Sequence, residues 1–179
     1  MARTRSSVLL FAAIGFAQLG YSQGQESLVF ELSPDARGAA LGSAVMADLH
    51  SDVHGAGLNP CLIDTARQGD VTIDYIDYFA GVGMTAVNYQ LNPKGKWNRQ
   101  IGSRFMNLGT FSGYDAAGNA TADFQGGDQM VYFGTSRAID SVWTLGAQGF
   151  VGSRHLNREV AGWLGMEAFV HARWISKQL

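Results

Sequence analysis

The chain is 179 residues long, 46% hydrophobic and 11% aromatic, with 23 glycines and only 16% charged residues, where ordinary soluble chains carry about 25%. A formal net charge of −2 leaves no basic stripe to neutralise phosphates and excludes a nucleic-acid partner. Cys61, the single cysteine, excludes an internal disulfide and a cysteine zinc cluster, and reads as a small buried apolar residue.

Arg3 and Arg5, an apolar run from Val8 to Leu19 and a small polar exit at Gly20 to Gln23 form a secretory signal peptide, with cleavage expected after Ser22. The run is about a dozen residues, whereas a spanning helix needs ~20. No later segment is apolar for as long, so export leads to the periplasm, the outer membrane or the exterior. Low charge with abundant glycine and aromatics favours the membrane.

Ser33, Pro34 and Asp35 read as a helix start, with a capping hydroxyl, a proline in the first turn and an early carboxylate. The residues that follow, Ala36 to Gly42, are too small to build an independent core and should pack inside something larger. Further on, Asp48, His50, Asp52 and His54 would share one face of an extended strand, and His50 and His54 would also share a helix face. Imidazole and carboxylate together make them weak metal candidates; a polar surface in a wet lumen is the alternative.

After residue 70 the chain reads as strands. Thr85, Val87, Tyr89 and Leu91 alternate with Asn88 and Gln90, and Trp143, Leu145, Ala147 and Val151 alternate with Thr144, Gly146 and Gln148. Further runs are Val71 to Ala80, Gln100 to Thr110, Gln129 to Ser136 and Gly162 to Trp174. In the last, Leu164, Met166, Ala168, Val170, Ala172 and Trp174 alternate against Glu167, His171 and Arg173, although Met166, Val170 and Trp174 also fall at helical spacing; strand is the preferred reading. One apolar and one polar face is what a transmembrane barrel requires, with strands of roughly 9 to 11 residues. The connection from Ser112 to Gly127 is long and Gly-rich and that from Arg137 to Ser141 is short, as with exterior loops and periplasmic turns. Tyr75, Tyr78, Trp97, Trp143 and Trp174 lie near expected strand ends, where aromatic girdles sit.

Several patterns suggest chemistry and fail on context. Gly81, Gly83 and Ala86 satisfy a dinucleotide fingerprint, yet a second alternating run follows instead of a helix, and the first later acid is Asp115; a hairpin bend is expected. Gly118 and Asn119 read as turn chemistry. With no Gly-x-Ser-x-Gly elbow, no catalytic residue, no cofactor and no enzyme activity are expected.

Six stretches carry a resemblance. They are Ser33 to Gly42; Asp48 to Asp52 with Gly57-Leu58-Asn59-Pro60; Asp74 to Gly81; Met106 to Phe111; Asp115 to Asn119; and Ser136 to Ser141. In this order they resemble the PorV/PorQ family, relatives of long-chain fatty-acid transporter barrels. The resemblance covers about Glu26 to Gly152. It implies an all-β fold, an antiparallel outer-membrane β-barrel with a small amino-terminal plug in which Ser33, Pro34, Arg37, Gly42, Asn59 and Pro60 are structural. The implied division is a signal peptide at 1–22, a periplasmic or lumenal plug at 23–69 and the first barrel strands at 70–179.

The implied function is a component of the type IX secretion system of Bacteroidota, supporting export or surface attachment of cargo. Its partners would be outer-membrane lipid, other secretion proteins and exported cargo. The alternative is transport of long-chain fatty acids or another hydrophobic small molecule. Cys61 departs from the family, which usually has a small residue such as alanine there, and so does Leu179, where many outer-membrane proteins end in an aromatic. About six strands cannot close a barrel, since the smallest need eight, so the chain is expected to hold only the amino-terminal part.

Overall fold

The computed structural model describes residues 29, 32–42, 53–63 and 65–173. The signal peptide, Asp48, His50, Asp52, Trp174 and Leu179 lie outside the described residues. Six strands, β1 (Val71–Asp77), β2 (Gly83–Lys94), β3 (Trp97–Phe111), β4 (Phe124–Ala138), β5 (Trp143–Leu156) and β6 (Glu159–Ala172), form one sheet. Their order is sequential and every neighbouring pair is antiparallel, a pure meander. β1 and β6 are its two edges and do not meet, so the sheet is not closed. Two short helices, α1 (Ala36–Ala40) and α2 (Val53–Ala56), and three single 3₁₀ turns complete the described residues. None of the described helices is long and apolar enough to cross a membrane.

The fold class is therefore all-β, built on the alternation legible in the sequence. Register aligns the two faces into rows. Val71, Tyr89, Ile101, Phe133, Gly149 and Met166 form one row of one face, and Ile73, Val87, Ser103, Val131, Val151 and Leu164 the next. This face is bare, with Ile73 at 73%, Leu164 at 82% and Met166 at 86% exposure. The opposite face is covered and mixed: Asn88, Gln90, Gln100, Arg104, Asp128, Ser136 and Gln148 are buried there beside Met84, Ala86, Met106, Met130 and Tyr132. A soluble sheet would bury its apolar face and wet the polar one; here the almost wholly apolar rows are the exposed ones and a row of polar side chains is buried.

β6 is a strand throughout. Its antiparallel ladder to β5, from Trp143↔Ala172 to Leu156↔Glu159, supplies backbone partners that outweigh the local helical spacing of Met166 and Val170. β1 is shorter than expected, ending at Asp77 because the chain turns through a 3₁₀ segment (Phe79–Gly81) with Ala80 at φ 61°. The Gly81 fingerprint is indeed the bend of the β1–β2 hairpin.

The connections fall at two ends. One end holds the Gly95–Lys96 turn and residues 139–142; the other holds residues 78–82, the long loop 112–123, and a two-residue turn at 157–158. The long loop and the short turn fall at opposite ends, as expected, but the tight β5–β6 turn shares the long-loop end. Within the long loop, Asp115 Oδ1 accepts from the amides of Ala117 at 2.9 Å and Asn119 at 2.8 Å, confirming a turn around Gly118.

Candidate functional site

The amino-terminal segment, the part read as a plug, lies against the covered face of the sheet. Its first described piece is capped by Asp35, not by Ser33 as the sequence suggests. Asp35 Oδ2 accepts the Gly38 amide at 2.8 Å, while the Ser33 hydroxyl donates to Asp35 Oδ1 at 2.8 Å and thereby orients the cap. The carboxylate outcompetes the hydroxyl because a charged acceptor makes the stronger cap bond. Pro34 therefore precedes the cap and lies outside the helix. Gly42 ends the helix at φ +63°, its amide donating to the Ala39 carbonyl at 3.2 Å. Ser33, Pro34 and Asp35 are buried, whereas Arg37 faces outward.

The second piece runs from α2 through Asn59 to a 3₁₀ turn (Pro60–Leu62). Asn59 Oδ1 accepts the Cys61 amide at 3.0 Å, and Pro60 takes the first turn position where no amide is needed. The helix-end carbonyls of Ala56 and Gly57 go to the wall of the sheet. Gln100 Nε2 donates to Ala56, Arg104 Nη2 to Gly57 at 3.4 Å and Gln148 Nε2 to Gly57 at 3.5 Å. Arg104 also reaches the first piece, its Nη1 donating to the Val29 carbonyl at 3.1 Å. One guanidinium thus ties together two parts of the segment that are far apart in sequence. Its charge is buried at 2% exposure, a cost offset by these carbonyls and by the Tyr132 ring, whose centroid lies 5.6 Å from it. The Tyr132 hydroxyl in turn donates to Asn88 Oδ1.

The turn needs room, and β4 and β5 give it. A Cβ on Gly134 would stand 3.2 Å from Pro60 Cβ, and one on Gly146 would stand 2.8 Å from Cys61 Sγ and 3.1 Å from Pro60 Cγ. Cys61 is buried, with its sulfur 3.6 Å from the Thr144 carbonyl, and burial pushes the thiol up to about 11. It behaves as the small buried residue expected.

Toward the long-loop end the covered face changes character. Val29 packs with Met84, Met106, Met130 and Tyr132, flanked by Leu32, Ile76 and Phe150. Beside this patch Asp128, fully buried, accepts from Arg154 Nε at 2.6 Å and Nη2 at 2.7 Å, a bidentate pair.

Of the sequence-selected residues, Asn59 and Pro60 come together with the wall and Ser33 and Pro34 with the cap. His54 falls in α2, and its three companions lie outside the described residues. Among the described residues no cluster of His, Cys, Asp and Glu could hold a metal ion. Gln100, Arg104 and Gln148 were legible only as polar positions on one strand face, and nothing in their spacing shows that they meet one backbone turn.

No protein-family model matches the chain, and no curated protein or solved structure is significantly similar to it.

Proposed function

We propose that the chain forms part of an outer-membrane β-barrel, with the bare face toward lipid and the amino-terminal segment as a plug in its lumen. The observation that carries this is the sheet's bare face, which exposes rows of large apolar side chains while a row of polar side chains is buried on the covered face. Lipid can solvate the first face and a wet lumen the second. A 15-residue strand is about 50 Å long and, tilted by ~40°, crosses a bilayer core of ~30 Å. In hydrocarbon the free edges of β1 and β6 would cost several kcal/mol per unsatisfied group, so the proposed barrel requires both edges to be paired.

Within that class the resemblance to the PorV/PorQ family, and to PorQ most of all, favours a non-enzymatic component of the type IX secretion system that supports export or surface attachment of cargo. The glutamine- and arginine-lined wall beside the plug suits a fixed, hydrated plug better than an acyl chain. The second reading, passage of a hydrophobic small molecule, is favoured by the methionine patch under Val29, since methionine surfaces adapt to varied apolar ligands.

Two experiments test this. Carbonate-washed membranes should retain the protein, and its recovery in the soluble fraction would sink the barrel. Deletion of the gene should leave secreted cargo in the periplasm. Normal cargo export with impaired fatty-acid uptake would reverse the order of the two readings.

A further inference from the structure

The bare face carries a second pattern, separate from its apolar rows. At the short-turn end, Trp97 opens β3 and Trp143 opens β5, both exposed at 46% and 45%. Arg137 stands beside Trp97, its guanidinium carbon 5.7 Å from the ring centroid. Arg99 lies two residues farther along the same face of β3, and exposed Lys96 forms the adjoining turn. Among the described residues the exposed acids at this end are Asp70, just before β1 at the sheet edge away from Trp97 and Trp143, and Asp140, which is engaged, since its Oδ1 accepts the amides of Val142 and Trp143, each at 2.7 Å. The opposite end is acidic on its exposed positions, with Asp77, Asp115, Asp123 and Glu159 against Arg158 among the described residues.

We infer that Lys96, Arg99 and Arg137, set among Trp97 and Trp143, form a binding rim for the phosphates of anionic phospholipid in the leaflet at the short-turn end. This rests on the barrel reading above. Indoles settle at the headgroup level, which places the cations at the depth of the phosphates. The Arg137 guanidinium carbon, 5.7 Å from the Trp97 ring centroid, is held beside the indole by a cation–π contact, and its terminal nitrogens can bind a phosphate bidentately. The neighbouring cations add an attraction that falls off within a Debye length, and the acidic rim at the other end repels the same lipid. The two leaflets are thereby distinguished by the protein itself.

The test is tryptophan quenching by brominated lipid, with the full chain reconstituted into phosphatidylethanolamine vesicles that contain a fixed fraction of phosphatidylglycerol. Bromine is placed on one lipid or the other. Brominated phosphatidylglycerol should quench the rim indoles more than its mole fraction warrants, by roughly twofold or greater. K96Q/R99Q/R137Q should erase that excess, while D77N/E159Q at the opposite rim should leave it unchanged. Equal quenching by the two lipids in the unaltered protein overturns the rim and spares the barrel. An excess that survives the triple substitution also overturns the rim. Quenching by neither lipid overturns both.

Discussion

Gly146 is the position where one added methyl group tests the whole seat of the amino-terminal segment. An alanine there would place Cβ 2.8 Å from Cys61 Sγ and 3.1 Å from Pro60 Cγ, about 1 Å inside ordinary contact. The proline ring cannot rotate away, and the Cys61 amide is held by Asn59, so the turn must shift as a unit. Overpacking of this kind costs about 1–3 kcal/mol. The assay is the rate at which a maleimide labels Cys61 in membranes. In the unaltered protein the thiol is buried and raised from 9.0 to about 11, which alone leaves about a hundredfold less thiolate at neutral pH. Gly146→Ala should raise the labelling rate at least tenfold. Cys61→Ala in the same background, which removes the sulfur and leaves the proline contact, should recover part of the lost thermal stability. The thiol also sets an alkaline limit. Its folded pKa lies above its unfolded value, so its contribution is complete below pH 9 and is lost as pH rises toward 11, and Cys61→Ala should abolish that loss. Unchanged labelling and stability in Gly146→Ala would refute the placement of the turn over β5.

Arg104→Gln removes the guanidinium that holds the Val29 and Gly57 carbonyls and should cost about 1.5–3 kcal/mol, seen as faster proteolysis of the 29–63 segment while the strands stay protected. Asp128→Asn leaves Arg154 facing a neutral amide at a fully buried position; a loss of about 3–5 kcal/mol in denaturant titration is expected, and the double change of Asp128 and Arg154 to methionine should cost less than the single one. In the long loop, hydrogen bonds from the side chain and backbone of Asn119 hold the Asp115 carboxyl below its ordinary value. Its ordering effect is present above the unfolded carboxylate pKa and lost as pH falls through the depressed one, so the protection of amides 115–119 relative to their intrinsic exchange rate should fall on acidification, and should be low in Asp115→Asn at every pH. Phe133→Arg, in the middle of the bare face at 46% exposure, should cost about 2–4 kcal/mol in a bilayer; a change near zero would mean that water meets that face.

The parts legible in the sequence are those set by periodicity. The apolar side chains of the bare face fall at odd positions in β1 to β5, as at Val71, Ile73, Val87, Tyr89, Ile101, Phe133 and Leu145, and a period of two survives any uncertainty about strand ends because it depends on the pleat alone. The ends themselves were hidden. β3 starts three residues earlier than Gln100 because Asn98 pairs with Ser136 across the ladder, a partner 38 positions away. β1 stops early because Ala80 turns left-handed, which no alanine announces.

The seat was hidden for a deeper reason, which also explains why it should hold. Gln90, Gln100, Gly134, Gln148 and Glu167 form one row only once four registers are stacked; in the sequence they are four polar residues and a glycine, isolated on five different runs. A slip of one residue in any of those ladders would turn an amide of this row outward and bring an apolar side chain against the Ala56 and Gly57 carbonyls. The polar seat and the apolar bare face therefore specify the same register independently, one through hydrogen bonds to a fixed backbone turn and the other through its solvent. That double specification accounts for a sheet that buries a row of polar side chains: their partners, and not their hydrophobicity, define where each strand sits.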